Sequence, residues 1–156
     1  MLLIVVIIAV FLALRLKGWD SAEAACYGLA AGLFLSGWDH LLRRDWYVSL
    51  MAPWLPNRAL LVTISAVLRM ALAAMLLRPG AVRLGAAIAT LVLMLIVLQV
   101  NLRVALVGDQ IEAARSIPAA WRWLRLALHL VWLGWTVYCV RAAWRQKRPP
   151  CPASVD

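Results

Sequence analysis

The sequence predicts an all-α membrane protein, a four-helix transmembrane bundle core with one additional N-terminal transmembrane helix, and three observations carry this. Of the 156 residues, 65% are hydrophobic and mean hydropathy is +0.86, whereas soluble chains hold only about half apolar residues. Charged, aromatic or proline-containing stretches divide the chain into long apolar runs. A span takes about 20 apolar residues at about 1.5 Å each, so the length admits four or five helices and no separate soluble domain.

The first run, MLLIVVIIAVFLAL, is short, with Arg15 and Lys17 snorkelling beyond it. A signal peptide would carry its positive charge before the apolar core, and here the charge follows, so residues 1–19 read as a retained N-terminal transmembrane helix. Asp20 caps a second helix, with Glu23 placed to complete a capping box, and the apolar stretch runs to about Leu42. Ala24, Gly28, Gly32 and Ser36 recur every fourth position and form a face that another helix can approach closely.

Residues 43–57, RRDWYVSLMAPWLPN, read as a polar, aromatic linker on the membrane surface, since Pro53 and Pro56 oppose helix continuation. A third helix is predicted from Arg58 to Leu77, closed by the Arg78-Pro79-Gly80 turn, and a fourth from about Val82 to Val107. Ser116, Ile117 and Pro118 open a fifth that runs to about Trp144. Residues 20–144 form the membrane domain, and 145–156 a basic cytoplasmic tail.

The net charge of +9 is spread between the apolar runs instead of forming one basic face, which points to anionic lipid headgroups and away from nucleic acid. One side of the membrane receives Arg15, Lys17, Arg78, Arg83, Arg141, Arg145, Lys147 and Arg148. The other receives Arg43, Arg44, Arg58, Arg103, Arg115, Arg122 and Arg125 together with Asp39, Asp45, Asp109 and Glu112. The positive-inside rule then predicts an external N-terminus and a cytoplasmic C-terminus. Cys26, Cys139 and Cys151 include no CxxC pair and fall toward the cytoplasmic side, where thiols stay reduced, so neither a disulfide framework nor a zinc site is expected.

The order GWDHLLRRDWY, PWLP, RPGAVRLGA, LQVNLRVAL and WRWLRLALH resembles the DoxX family of small bacterial membrane proteins over residues 21–141. Gly37, His40, Tyr47, Pro53, Trp54, Leu55, Pro56, Asn101, Arg125 and Leu126 stand at the matching positions. The resemblance implies a four-helix core in the bacterial inner membrane. It also implies, for some members, a place in redox systems, including thiosulfate-to-quinone electron transfer and thiol-oxidant detoxification. Two positions depart from the pattern: Arg69 stands where relatives often carry glutamate, and His129 where they often carry glutamine.

Arg69 lies about 11 residues into an apolar helix, where an unpaired charge costs at least ~2.5 kcal/mol. Asp39 is the nearby acid of opposite sign and the first expected partner. His40, Gln99, Asn101, Arg125 and His129 are placed to join them in the outer half of the bundle. Two readings stand side by side: a polar pocket for a quinone headgroup or small anion, or groups that satisfy one another across helices or against a neighbouring subunit. His40 and His129, the only histidines, could hold a haem axially, but their predicted depths differ, which disfavours it. No catalytic residue and no metal site emerges. Three functions follow as expectations: a non-catalytic accessory or structural subunit on a larger membrane complex, a component of a quinone-linked oxidoreductase system, or a transporter. The last is disfavoured because no broken helix pair or inverted repeat is visible.

Overall fold

The computed structural model describes residues 2–147; the sequence-predicted tail beyond that point, Cys151 and Arg148 lie outside the described residues. Within them the chain is helical throughout: α1 (Leu2–Leu16), α2 (Ser21–Leu42), α3 (Arg44–Leu50), α4 (Arg58–Leu76), α5 (Ala81–Val107), the short α6 (Glu112–Arg115) and α7 (Ala119–Lys147). A 3-10 turn, Gly108–Gln110, precedes α6, and no strand occurs among the described residues.

Three segments are long and apolar enough to cross a membrane, Arg58–Leu76, Ala81–Gln110 and Ala119–Gln146, and the chain is a helical membrane protein. The other two helices read as spans from the sequence, α1 and α2, are not among them. For α1 the reason is length: its 15 residues rise only about 22 Å against a hydrocarbon core of about 30 Å. For α2 it is polarity, since Glu23, Ser36, Asp39 and His40 dilute its apolar run. This helix packs against α1, α4 and α7. A helix so enclosed meets protein more than lipid, and small or polar side chains cost it little.

Close packing explains the small-residue face of α2. A Cβ at Gly28 would stand 2.7 Å from the carbonyl oxygen of Ile7, and one at Gly32 would stand 2.6 Å from Ile7 Cγ1. The helix that this face receives is therefore α1. One turn further along, Gly37 faces α4, where a Cβ would stand 2.7 Å from the Ala66 carbonyl oxygen.

The ends of the helices follow local chemistry. Asp20 caps α2 by accepting from the backbone N–H groups of Ala22 and Glu23. The expected capping box is only half formed, because the Glu23 carboxylate lies 3.6 Å from the guanidinium of Arg83 instead of returning to the cap. Arg83 is 2% exposed and ties this end of the bundle together: Nε donates to the Leu76 carbonyl (3.1 Å) and Nη1 to Gln146 Oε1 (3.3 Å). At the opposite end, the polar, aromatic linker of residues 43–57 contains α3. This helix packs on α4 and α6, with Leu50 buried among Val104, Ile111 and Ala114. Pro53 and Pro56 both lie beyond the C-terminal end of α3, so nothing in Arg44–Leu50 opposes a helix.

Candidate functional site

Asp39, His40 and Arg69 of the predicted site gather at the α3 end, where Gly37 lets α2 and α4 approach. On α2, Gly37 and His40 are three residues apart and share a face; on α4, Ala66 and Arg69 do the same. Contact between Gly37 and Ala66 therefore brings His40 to Arg69. His40 Nδ1–H donates to the Ser36 carbonyl one turn back (2.8 Å), which leaves Nε2 as an acceptor. The Arg69 guanidinium donates to it through Nη1.

The expected ion pair between Arg69 and Asp39 is thus not formed. Asp39 lies about 100° around α2 from His40 and turns toward α3, where its carboxylate accepts from the Tyr47 hydroxyl (2.6 Å) and pairs with Arg43 (3.1 Å). Tyr47 closes the set by stacking on His40, with ring centroids 3.6 Å apart and planes 17° from parallel. Burial and, next, the hydrogen bond to Asp39 push the Tyr47 phenol well above its ordinary range.

The remaining predicted members are distributed around this core. Arg125 lies over the Trp46 ring, 5.2 Å from its centroid. His129 is buried and its Nε2–H donates to the Met94 carbonyl (2.9 Å). Asn101 is buried with Oδ1 unpartnered. Gln99 does not join: it is exposed on the outside of α5. Both histidines thus have Nε2 engaged by protein groups, an arrangement unlike the axial pair that a haem needs.

Sequence reasoning missed three participants. Trp46 and Tyr47 belong to the stretch that the sequence places as a linker on the membrane surface, yet Tyr47 turns to Asp39 and His40 and Trp46 to Arg125; a helical reading of RDWYVSL finds them. Arg122 was read as one of the charges of that side, but it is 5% exposed and packs across Gly108, where a Cβ would stand 2.2 Å from Arg122 Nη1. Its Nη2 reaches Asp109 at 2.7 Å, while its Nε and Nη1 are unpartnered.

Chemically, this is a donor-rich cluster. Arg69 and Arg125 face inward, the one carboxylate named among them is already paired to Arg43, and Arg69 Nε is buried without a partner. Such a set can donate to a carbonyl oxygen or an anion, and it can equally fix how the helices meet. Residues 29–140 match the family model of a domain of unknown function, DUF8561. No curated protein and no solved structure matches the chain.

Proposed function

The chain belongs to the DUF8561 family, and from that premise we propose that it is a DoxX-like, non-catalytic accessory subunit that packs on a larger membrane complex. The observation that carries this reading is the mutual use of polar groups. Arg69 is spent on His40, His40 on Ser36, Tyr47 on Asp39 and His129 on a backbone carbonyl. Contacts of this kind fix helix register inside a bilayer, where a polar group must find a partner in protein.

In this reading α2, α4, α5 and α7 are the four-helix core and α1 is the fifth transmembrane helix, seated on the glycine face of α2. The membrane is the bacterial inner membrane, with the N-terminus external and the C-terminus cytoplasmic. The placement of Arg15, Lys17, Arg78, Arg83, Arg141 and Arg145 toward one face supports the orientation. The DoxX-like motifs over residues 21–141 lie on much the same stretch as the family match, which leaves α1 outside it.

A second reading, a component of a quinone-linked oxidoreductase system with its pocket in the outer half of the bundle, is favoured by the unpartnered Arg69 Nε and Asn101 Oδ1. Purification in mild detergent separates the two. Stoichiometric co-purification of larger membrane subunits is expected for an accessory role. Bound quinone that is lost on Arg69→Leu would favour the second reading instead.

A further inference from the structure

At the Arg83 end of the bundle, the last turns of α7 carry two stripes side by side. Val140 and Trp144 stand four residues apart on one face, and Arg141 and Arg145, each one position further on, share the next. Ala142 and Ala143 turn into the protein, 8% and 2% exposed, whereas Arg141, Trp144 and Arg145 are exposed. Val140, Arg141, Trp144 and Arg145 together line a groove of about 340 Å³. Its depth follows from the spanning segment Ala119–Gln146, which ends one residue after Arg145. The groove therefore opens where hydrocarbon gives way to headgroups, with Val140 deeper and Arg145 nearer water.

Like charges four residues apart on a helix repel one another, and a carboxylate beside them would relieve the repulsion. The acids of this end are engaged elsewhere: Asp20 caps α2 and Glu23 lies 3.6 Å from Arg83. Among the described residues neither Arg141 nor Arg145 pairs with a carboxylate. The C-terminal end of a helix favours cations, which accounts for two arginines here but not for the apolar wall of Val140 and Trp144 set beside them. A molecule with one anionic and one apolar part satisfies both walls at once. Guanidinium groups match phosphate oxygens in charge and geometry, and tryptophan suits the depth at which headgroup meets acyl chain.

We propose that this groove is a binding site for an anionic phospholipid, its phosphodiester held between Arg141 and Arg145 and one acyl chain running past Trp144 and Val140 toward the bilayer centre. The net charge of +9 draws anionic headgroups toward the chain as a whole; the groove selects one lipid at one place. It involves neither the Arg69 cluster nor the docking of another subunit, so it goes beyond the accessory role.

The test titrates the full chain in detergent with phosphatidylglycerol or phosphatidylcholine and counts bound lipid by native mass spectrometry. Phosphatidylglycerol is expected to bind about tenfold more tightly than phosphatidylcholine. Arg141→Gln or Arg145→Gln should each weaken phosphatidylglycerol about fivefold and the double variant about 25-fold, with phosphatidylcholine unchanged. Arg15→Gln with Lys17→Gln removes as much charge from the same end and should change the affinity less than about twofold, because the lipid is held at the groove and not by the general field. A phosphatidylglycerol bearing a diazirine in its acyl chain should label residues 140–145. Equal affinity for the two lipids, equal losses in the two double variants, or labelling confined to other segments overturns the proposal.

Discussion

Arg69 donates through Nη1 to Nε2 of His40, so the arginine buried midway along α4 takes a neutral imidazole as partner and not a carboxylate, while its Nε stays unpartnered. A hydrogen bond to a charged group is worth about 1.5–3 kcal/mol, and losing it leaves the guanidinium short of a partner. His40→Ala is therefore expected to cost about 2 kcal/mol, whereas the same change on an Arg69→Leu background should cost less than about 1 kcal/mol, because the charge has gone. Unfolding free energies from denaturant titration in detergent micelles provide the cycle. Equal costs in both backgrounds would mean that the two side chains do not interact.

How far this pair was legible in the sequence depends on which physical rule was applied. The depth of Arg69 followed from the length of the apolar run, and its need for a partner followed from the cost of a charge in hydrocarbon. The choice of Asp39 used charge alone. Helical register favours its neighbour, because Gly37 and His40 share the face that meets Ala66 and Arg69, and Asp39 points elsewhere. Helix ends were easier to read, since Asp20, Gly80 and Pro118 act through local chemistry at α2, α5 and α7. That Cys26 and Cys139 share one buried cluster carries no local spacing signal; only the packing of α2 on α7 creates it. Likewise, periodicity marked the glycine face of α2 but could not name α1 as its occupant.

That occupancy sets up a contrast among glycines. A methyl group at Gly28 or Gly32 would meet Ile7 at 2.7 and 2.6 Å, whereas nothing lies within 4 Å of one added at Gly85 or Gly134. Gly28→Ala is expected to destabilise by about 1–3 kcal/mol through overpacking and to loosen α1, seen as faster proteolysis of the N-terminal segment. Gly85→Ala and Gly134→Ala should be neutral or stabilising by up to about 1 kcal/mol, because alanine loses less backbone entropy in a helix. Similar losses at all these sites would argue against close packing by α1.

Arg83 joins α2, α4 and α7 through Glu23, the Leu76 carbonyl and Gln146. Its planar fork serves these directions at once, and a lysine ammonium on a flexible stem does not. Arg83→Met is expected to lower stability by about 3 kcal/mol, with Arg83→Lys recovering less than half of that. Thermal unfolding in nanodiscs measures both. Full recovery by lysine would show that charge, and not the fork, is what this end of the bundle requires.

Tyr47 supplies a pH dependence whose sign can be worked out. Its phenol lies outside the spanning helices and is pushed up by burial and by Asp39, so its pKa in the folded chain exceeds the value near 10 expected when unfolded. Below about pH 10 it is protonated in both states and its contribution to stability is complete. As the pH rises further, the unfolded chain releases the proton while the folded chain retains it, and stability falls. Tyr47→Phe keeps the ring that stacks on His40 and removes the titrating group, so its stability should decline less between about pH 9 and pH 11. Unfolding free energies of the two proteins across that range make the comparison, with Tyr27 and Tyr138 common to both. A wild-type decline no steeper than that of Tyr47→Phe would mean that the Tyr47 phenol ionises as readily in the folded protein as in the unfolded chain.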